Sequence, residues 1–446
     1  MVLIRSIDVS PPIVNCSCAW ASDYQQLNAL RHCPYTGAVT TRTATLDGFK
    51  EDETNTVAFM KDSLSSLNSY GYSPLPLNQY LEWIREFLGD EQSVKPFIIS
   101  ITESSAEKLS EMLVTIQQLR ASNPAWRSRI AVEFNSSCPN IKNHPPPSYH
   151  LPSLKPFLDV LAKAFQDDST LTIGLKLPPY TIATQFRDII ECISSYTRTD
   201  PKKRTNKNTN PFAFFTCTNT LGNSLVFGDQ VYTPADESDS ESAAAFAVPP
   251  GLGGLAGEAI HSISLGNVYT FSRLLAESDD AALREIVIIG AGGVTSPEAV
   301  ERMNRAGAKI VGCATLLGKE GVIAFEMLSG GVRRPHSTVS GGSEDSESQH
   351  PYMQQAIQKM KSAVRDLTST FERATNAIVA NISNSSKDRV SVRKRKAVVQ
   401  VQEEDLDDRQ LLNILNKFQS DIKLVDIYLA IQKESLRKAF LDLHSK

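Results

Sequence analysis

The chain has no apolar run near the roughly 20 residues a membrane-crossing helix needs, so a helical membrane protein is not expected. Its first residues, "MVLIRSIDVSPPIVNCSC", lack the basic-then-apolar layout of a secretory signal. Cysteine is sparse, seven in 446 residues, and no two form a CxxC pair. That removes the usual spacing of zinc ribbons and iron–sulfur centres. The one close pair, Cys16 and Cys18, is too tightly spaced for common metal motifs, and no metal site is expected. Excess positive charge is also missing. The formal net charge is −4, which argues against non-specific binding to nucleic acid or to acidic membranes. These absences point to a reduced, cytoplasmic protein that acts on small molecules. On that reading the N-x-S sequons at Asn15, Asn135, Asn381 and Asn384 carry no glycan.

What the chain does contain is enough apolar material, 41%, for a large core, and a repeated alternation of strand-like and helix-like segments up to about residue 333. "KPFIISIT" (95–102), "RIAVEFN" (129–135), "LTIGLKLP" (171–178), "PFAFFTCTN" (211–219), "EIVIIGAGG" (285–293) and "AKIVGCAT" (308–315) read as buried parallel strands. They are nearly continuous apolar runs, as a sheet covered on both faces requires. Between them lie segments such as "SAEKLSEMLVTIQQLRA" (105–121), apolar at helical spacing. At least six such units, each strand ending in polar or glycine residues, favour an α/β fold closed as a (β/α)8 TIM barrel. A barrel of this kind, about 250 residues or more, is one domain, and polar residues just past its strand ends face the catalytic mouth.

Two polar stretches, 198–210 and 233–250, read as mobile insertions. The expected organisation is a barrel domain over 1–333, a linker over 334–351 and a helical C-terminal extension over 352–446. The extension carries "RKRK" (393–396), which reads as a solvated charge run rather than a nuclear signal.

Four kinds of strand end carry candidate chemistry. In "VEFNSSCPNI" (132–141) a strand breaks at proline, placing Asn135, Cys138 and Asn140 on a loop at the mouth. Amides there can hold a planar polar ligand, and a thiol can act as base or nucleophile. A small cysteine packed beneath turn-forming asparagines fits that stretch equally well. "GLKLPPY" (174–180) puts Lys176 within an apolar strand, where its charge is costly unless used on a phosphate, an anionic ring or a neighbouring acid. "IIGAGGV" (288–294) and "VGCATLLGKEG" (311–321) are consecutive strand-to-helix turns. Gly292 and Gly293 there suit the phosphate site that many barrels build after their last two strands. "TCTNTLGNSL" (216–225) and "SLNSYGYSPLPL" (66–77) add Asn219, Asn223, Asn68 and Ser69 from two more polar loops.

Together these stretches resemble the class 1 dihydroorotate dehydrogenases, in particular the fumarate-linked subclass, over residues about 10–330. That subclass carries an N-x-S-C-P-N loop whose cysteine is the catalytic base. "KLPPY", "TNTLGN", "GLGG", "IIGAGGV" and "GCATLLGKEG" follow in family order. The resemblance implies a flavin mononucleotide (FMN) whose phosphate is bound by Gly292, Gly293, Ala314 and Thr315. Lys176 would lie at its pyrimidine edge, with Arg42, Thr43, Asn135 and Gly254 also against the cofactor. It further implies that Asn68, Asn135, Asn140, Asn219 and Thr220 hold the orotate ring. Cys138 would take the C5 proton of dihydroorotate while hydride leaves C6 for the flavin. The acceptor implied is soluble, such as fumarate, and the assembly a homodimer. A free cysteine is mostly protonated at neutral pH, so either the loop lowers its pKa or activity rises with pH.

The chain departs from the family pattern in four places. Arg42 replaces a lysine, Cys18 a glycine near the flavin, and Ala314 a glycine before the phosphate-binding threonine. "AIHSIS" with His261 stands where the family has an I-K-P run.

Overall fold

A computed structural model describes residues 1–90, 94–141, 145–199, 208–232 and 245–331, with scattered residues between 397 and 441. Eight strands form one parallel sheet: β1 (Ile13–Asn15), β2 (Val39–Thr40), β3 (Phe97–Ile101), β4 (Ile130–Asn135), β5 (Thr172–Leu177), β6 (Phe212–Cys217), β7 (Val287–Ala291) and β8 (Ile310–Cys313). They pair in the order β1-β8-β7-β6-β5-β4-β3-β2, and a parallel bridge between Val14 and Ala38 joins the two ends. The expected barrel is present. Each strand is followed by a helix: α1 (Tyr24–His32), α2 (Leu77–Gly89), α3 (Ala106–Ser122), α4 (Leu151–Asp167), α5 (Ala183–Ser194), α6 (His261–Ala276), α7 (Pro297–Ala306) and α8 (Thr315–Glu320).

The six long strands fall within the segments marked by their apolar runs, and α3 within a residue of its periodic stretch. Sequence gave no sign of β1 and β2, which are three and two residues long. A run that short offers no periodicity to detect.

Alternation along β4 shows how the barrel is filled. Ile130, Val132 and Phe134 pack outward against the helices, while Ala131 joins an inner cluster with Val14, Ile98, Phe214 and Ile310. Gly174 on β5 makes room for Phe214, whose ring lies 2.2 Å from where a Cβ would stand. An N-terminal hairpin, Val2–Ile4 paired with Ile7–Val9, adds Ile4, Ile7 and Val9 to this cluster. Above the apolar layer the interior turns polar. Glu133 is buried and accepts hydrogen bonds from Ser100 Oγ (3.0 Å) and Thr216 Oγ1 (2.6 Å), which satisfies its carboxylate away from water.

The loops of the open end build a second, antiparallel sheet in the order Leu221–Leu225, Leu252–Gly257, Ser65–Asn68, Val57–Phe59. Asn68, expected in a polar loop, lies in a strand opposite Gly254. The flanks of the two insertions are ordered. Arg198–Thr199 pairs with Asn208–Thr209, and Val248 is buried with Leu67, Val226 and Val231. The residues between those flanks lie outside the described set.

The chain divides into two compact units, Met1–His336 and Ser337–Lys446. The expected linker, the first extension helix and "RKRK" lie outside the described residues. In the second unit Ala397, Val401, Ile414, Leu415, Phe418, Val425, Tyr428 and Leu441 form an apolar cluster of their own. Among the described residues no helix is long and apolar enough to cross a membrane.

Candidate functional site

At the open end of the barrel a cleft encloses about 1010 Å³, its mouth included. Of the residues given a catalytic or binding role from sequence, all but Gly254 line it: Cys138, Asn68, Asn135, Asn140, Asn219, Thr220, Arg42, Thr43, Lys176, Gly292, Gly293, Ala314 and Thr315. Gly254 stands just behind. A Cβ there would meet Thr220 Oγ1 at 2.3 Å, so the glycine lets the accessory sheet close on the β6 loop. Asn223 and Ser69 stay outside: Asn223 has φ +55° where the strand Leu221–Leu225 shifts register, and Ser69 Oγ donates to Thr54 O at 2.6 Å.

The asparagines form two hydrogen-bonded pairs, Asn135 with Asn219 and Asn140 with Asn68. Asn135 leaves the end of β4 and donates through Nδ2 to Thr43 Oγ1 (2.9 Å). Its Oδ1 accepts from Asn219 Nδ2 (3.2 Å), and Asn219 also donates to Ser137 Oγ (3.0 Å). Asn140 Nδ2 faces Asn68 Oδ1 (3.0 Å), Asn68 O (3.1 Å) and Tyr70 O (2.9 Å), while Asn68 Nδ2 donates to Gly254 O (3.0 Å). These bonds fix which end of each amide is spent within the protein and hold the side chains in place before any ligand arrives. Ser136 and Ser137 both donate to Lys176 O (2.9 Å each), tying the cysteine loop to the β5 exit.

Cys138 follows this double anchor and precedes Pro139. It opens on the cleft while protein encloses most of it. Burial pushes its thiol above the ordinary value, against the pull of the Asn140 amide and the charges of Lys176 and Arg42. The loop therefore does not lower the thiol pKa.

Arg42 and Lys176 are the only charged residues among those lining the cleft. Lys176 is buried and donates to Ser17 O at 3.1 Å. Arg42, also buried, is ion-paired with Glu51 and lies 5.3 Å from the centre of the Tyr70 ring. Two cations without a lining acid make a site for an anionic or electron-accepting group. Trp20, Ile260 and Val294 give the same cleft an apolar face. That donor set suits a flat, phosphate-bearing ring system.

The double-glycine turn follows β7 with φ +115° at Gly292 and +69° at Gly293, which favour glycine. The close approach of helix α6 requires it too. A Cβ on Gly292 would stand 2.1 Å from Ser264 Oγ, and one on Gly293 would stand 2.5 Å from His261 Cβ.

Sequence reading passed over several lining residues. Cys16 and Ser17 directly follow β1, too short to recognise, although both lie in the quoted "MVLIRSIDVSPPIVNCSC". Cys18, expected near the flavin, stands beside them with its thiol pushed up to about 11, chiefly by burial. Tyr70 and Tyr72 stood in the quoted loop after Asn68, but nothing in their spacing showed that both line the cleft. Among the described residues no group of three or more metal-type ligands forms.

A sequence profile described as dihydroorotate dehydrogenase matches residues 4–334. A Streptococcus pneumoniae protein named "Probable dihydroorotate dehydrogenase A (fumarate)" is 29% identical over 294 residues, 66% of this chain and 79% of its own. "Dihydroorotate dehydrogenase A (fumarate)" of Lactococcus lactis is 27% identical over 322 residues, 71% and 88% of the two chains. "Dihydroorotate dehydrogenase (fumarate)" of Trypanosoma cruzi is 28% identical over 271 residues, 60% and 73%. The matched span is the barrel.

Proposed function

The chain belongs to the dihydroorotate dehydrogenase family, oxidoreductases acting on a CH–CH bond, and we propose that it oxidises dihydroorotate to orotate with FMN and a soluble acceptor such as fumarate. The observation that carries this reading is the placement of the Cys138 thiol in the same cleft as Lys176 and two hydrogen-bonded pairs of asparagine amides.

In this reading Gly292, Gly293, Ala314 and Thr315 would hold the FMN phosphate, and Lys176, Arg42, Thr43 and Asn135 would lie against the rest of the cofactor, with Gly254 backing the wall behind Thr220. FMN bound there supplies the two-electron acceptor for the hydride that leaves C6. The chain's own part is positioning and proton removal. Asn68, Asn135, Asn140, Asn219 and Thr220 orient the planar substrate through amide and hydroxyl hydrogen bonds. The Cys138 thiolate takes the C5 proton onto Sγ, and enclosure by the surrounding loops keeps water from competing for it. The acceptor follows from the relatives' names, which specify fumarate. A cytoplasmic location fits the free thiols of all seven cysteines.

The test is to add dihydroorotate anaerobically to the purified protein and follow the flavin absorbance. Bleaching supports the reading. A flavin-containing protein that dihydroorotate leaves yellow overturns the substrate, and a protein that binds no flavin overturns the whole proposal.

A further inference from the structure

His261 begins α6 directly beside the double-glycine turn, and both of its ring nitrogens are engaged. Nδ1 lies 2.9 Å from Gly292 O, and Nε2 lies 3.0 Å from Arg302 Nε on α7. A carbonyl oxygen only accepts and an arginine Nε–H only donates. The imidazole must therefore carry its proton on Nδ1 and present a bare Nε2 to the guanidinium. Arg302 thus selects the neutral tautomer that can hold the Gly292 carbonyl.

The packing makes this bond consequential. The His261 Cβ fills the place where a Gly293 side chain would stand, and Ser264, three residues further along α6, does the same for Gly292. Ser264 Oγ is itself 2.9 Å from Thr218 Oγ1, a cleft-lining residue at the β6 exit. The first turn of α6 therefore clasps the glycine turn. His261 is the member of the clasp that bonds to the turn's backbone, and neither His261 nor Arg302 lines the cleft.

We propose that His261, held in its Nδ1–H form by Arg302, is a positioning residue for the phosphate end of the cofactor cleft. By taking the Gly292 carbonyl it turns that oxygen toward α6 and keeps the turn in its positive-φ shape, so an incoming phosphate meets no carbonyl dipole and pays no reorganisation. This inference rests on the flavin reading above and assigns to the turn a dependence on two residues that do not touch the ligand.

The test uses full-length protein stripped of flavin, titrated with FMN and with riboflavin, which lacks the phosphate, and followed by flavin fluorescence. His261→Ala is expected to weaken FMN about tenfold while changing riboflavin less than about twofold, since only the phosphate reads the turn. His261→Asn, whose amide can donate where Nδ1–H did, is expected to recover most of the loss. Arg302→Leu should fall between His261→Ala and the unaltered protein. Equal losses for both flavins, no loss of FMN binding, or an asparagine variant no better than alanine would overturn the assignment. Thermal unfolding of each variant separates a local effect from a folding failure; where the alanine protein does not fold, the asparagine variant is compared with unaltered protein, and a roughly tenfold loss of FMN binding in it would overturn the assignment. Failure of unaltered protein to bind either flavin would instead remove the flavin reading itself.

Discussion

Arg42 directs both terminal nitrogens of its guanidinium at the carboxylate of Glu51, while its own side chain forms part of the cleft wall. The pair is largely enclosed, at 7% and 20% side-chain exposure, so it is screened far less than a surface ion pair. A ligand carboxylate approaching Arg42 must share it with Glu51. Replacing Glu51→Gln removes the competing charge and keeps the shape. Orotate should then bind several-fold more tightly, roughly 1 kcal/mol, whereas the uncharged analogue uracil should be unaffected. Titration of both ligands by calorimetry checks this; equal tightening of the two would refute it.

The raised thiol of Cys138 fixes the sign of a pH dependence. Burial favours the neutral form, and only the thiolate accepts a proton. Below the thiol pKa the active fraction grows about tenfold per pH unit. Anaerobic stopped-flow reduction of the flavin should therefore accelerate with pH through and beyond neutrality and level off only in the alkaline range. A flat profile would exclude Cys138 as the base.

Cys138→Ser retains a polar group of similar size but one far harder to deprotonate. The reductive rate should fall by about 10²–10⁴ with flavin content unchanged. Full turnover in a flavin-loaded serine variant would remove the cysteine from the chemistry.

Lys176 places a buried positive charge in the cleft with its ammonium on Ser17 O. Lys176→Met preserves length and removes the charge, which disfavours the more electron-rich reduced cofactor. The flavin midpoint potential should drop by about 30–60 mV, measured by spectroelectrochemistry. An unchanged potential would mean that the lysine only packs.

Outside the cleft, Arg120 is 1% exposed and donates to Asp168 Oδ2 at 2.6 Å, with further bonds to Arg127 O and Thr170 Oγ1. Burial acts to raise the Asp168 carboxyl, but bonds from Thr170 and the charge of Arg120 outweigh it and bring the pKa to about 2. A depressed folded pKa adds stability above the unfolded value, near 4, and that contribution is lost as pH falls toward 2. Asp168→Asn should cost about 2–3 kcal/mol at neutral pH, the lower part of the range for a broken buried pair because the carboxylate is partly solvated. The loss relative to unaltered protein should shrink in acid. Urea unfolding at several pH values tests both statements.

Sequence reading worked best where local pattern and tertiary demand coincide. The six strands from Phe97–Ile101 onward are apolar on both sides because helices cover one face and the barrel interior the other. Their exits carry the polar residues of the cleft for the same reason: that is where a barrel strand stops being covered. Strands β1 and β2 escaped notice because three and two residues cannot show a period, yet they deliver Ser17, Cys18 and Arg42 to the site.

From the sequence alone came the barrel, the cysteine loop, the buried lysine and the order of motifs, since each depends on residues within a few positions of one another. The tertiary structure decided what those residues meet. It placed Asn68 in a strand opposite Gly254, 186 positions away, rather than in a loop. It paired Arg42 with Glu51, pushed the Cys138 thiol up rather than down, and gave Gly292 and Gly293 to the α6 clasp. Desolvation, ion pairing and close approach are set by atoms from distant segments, and no local spacing encodes which segment will arrive.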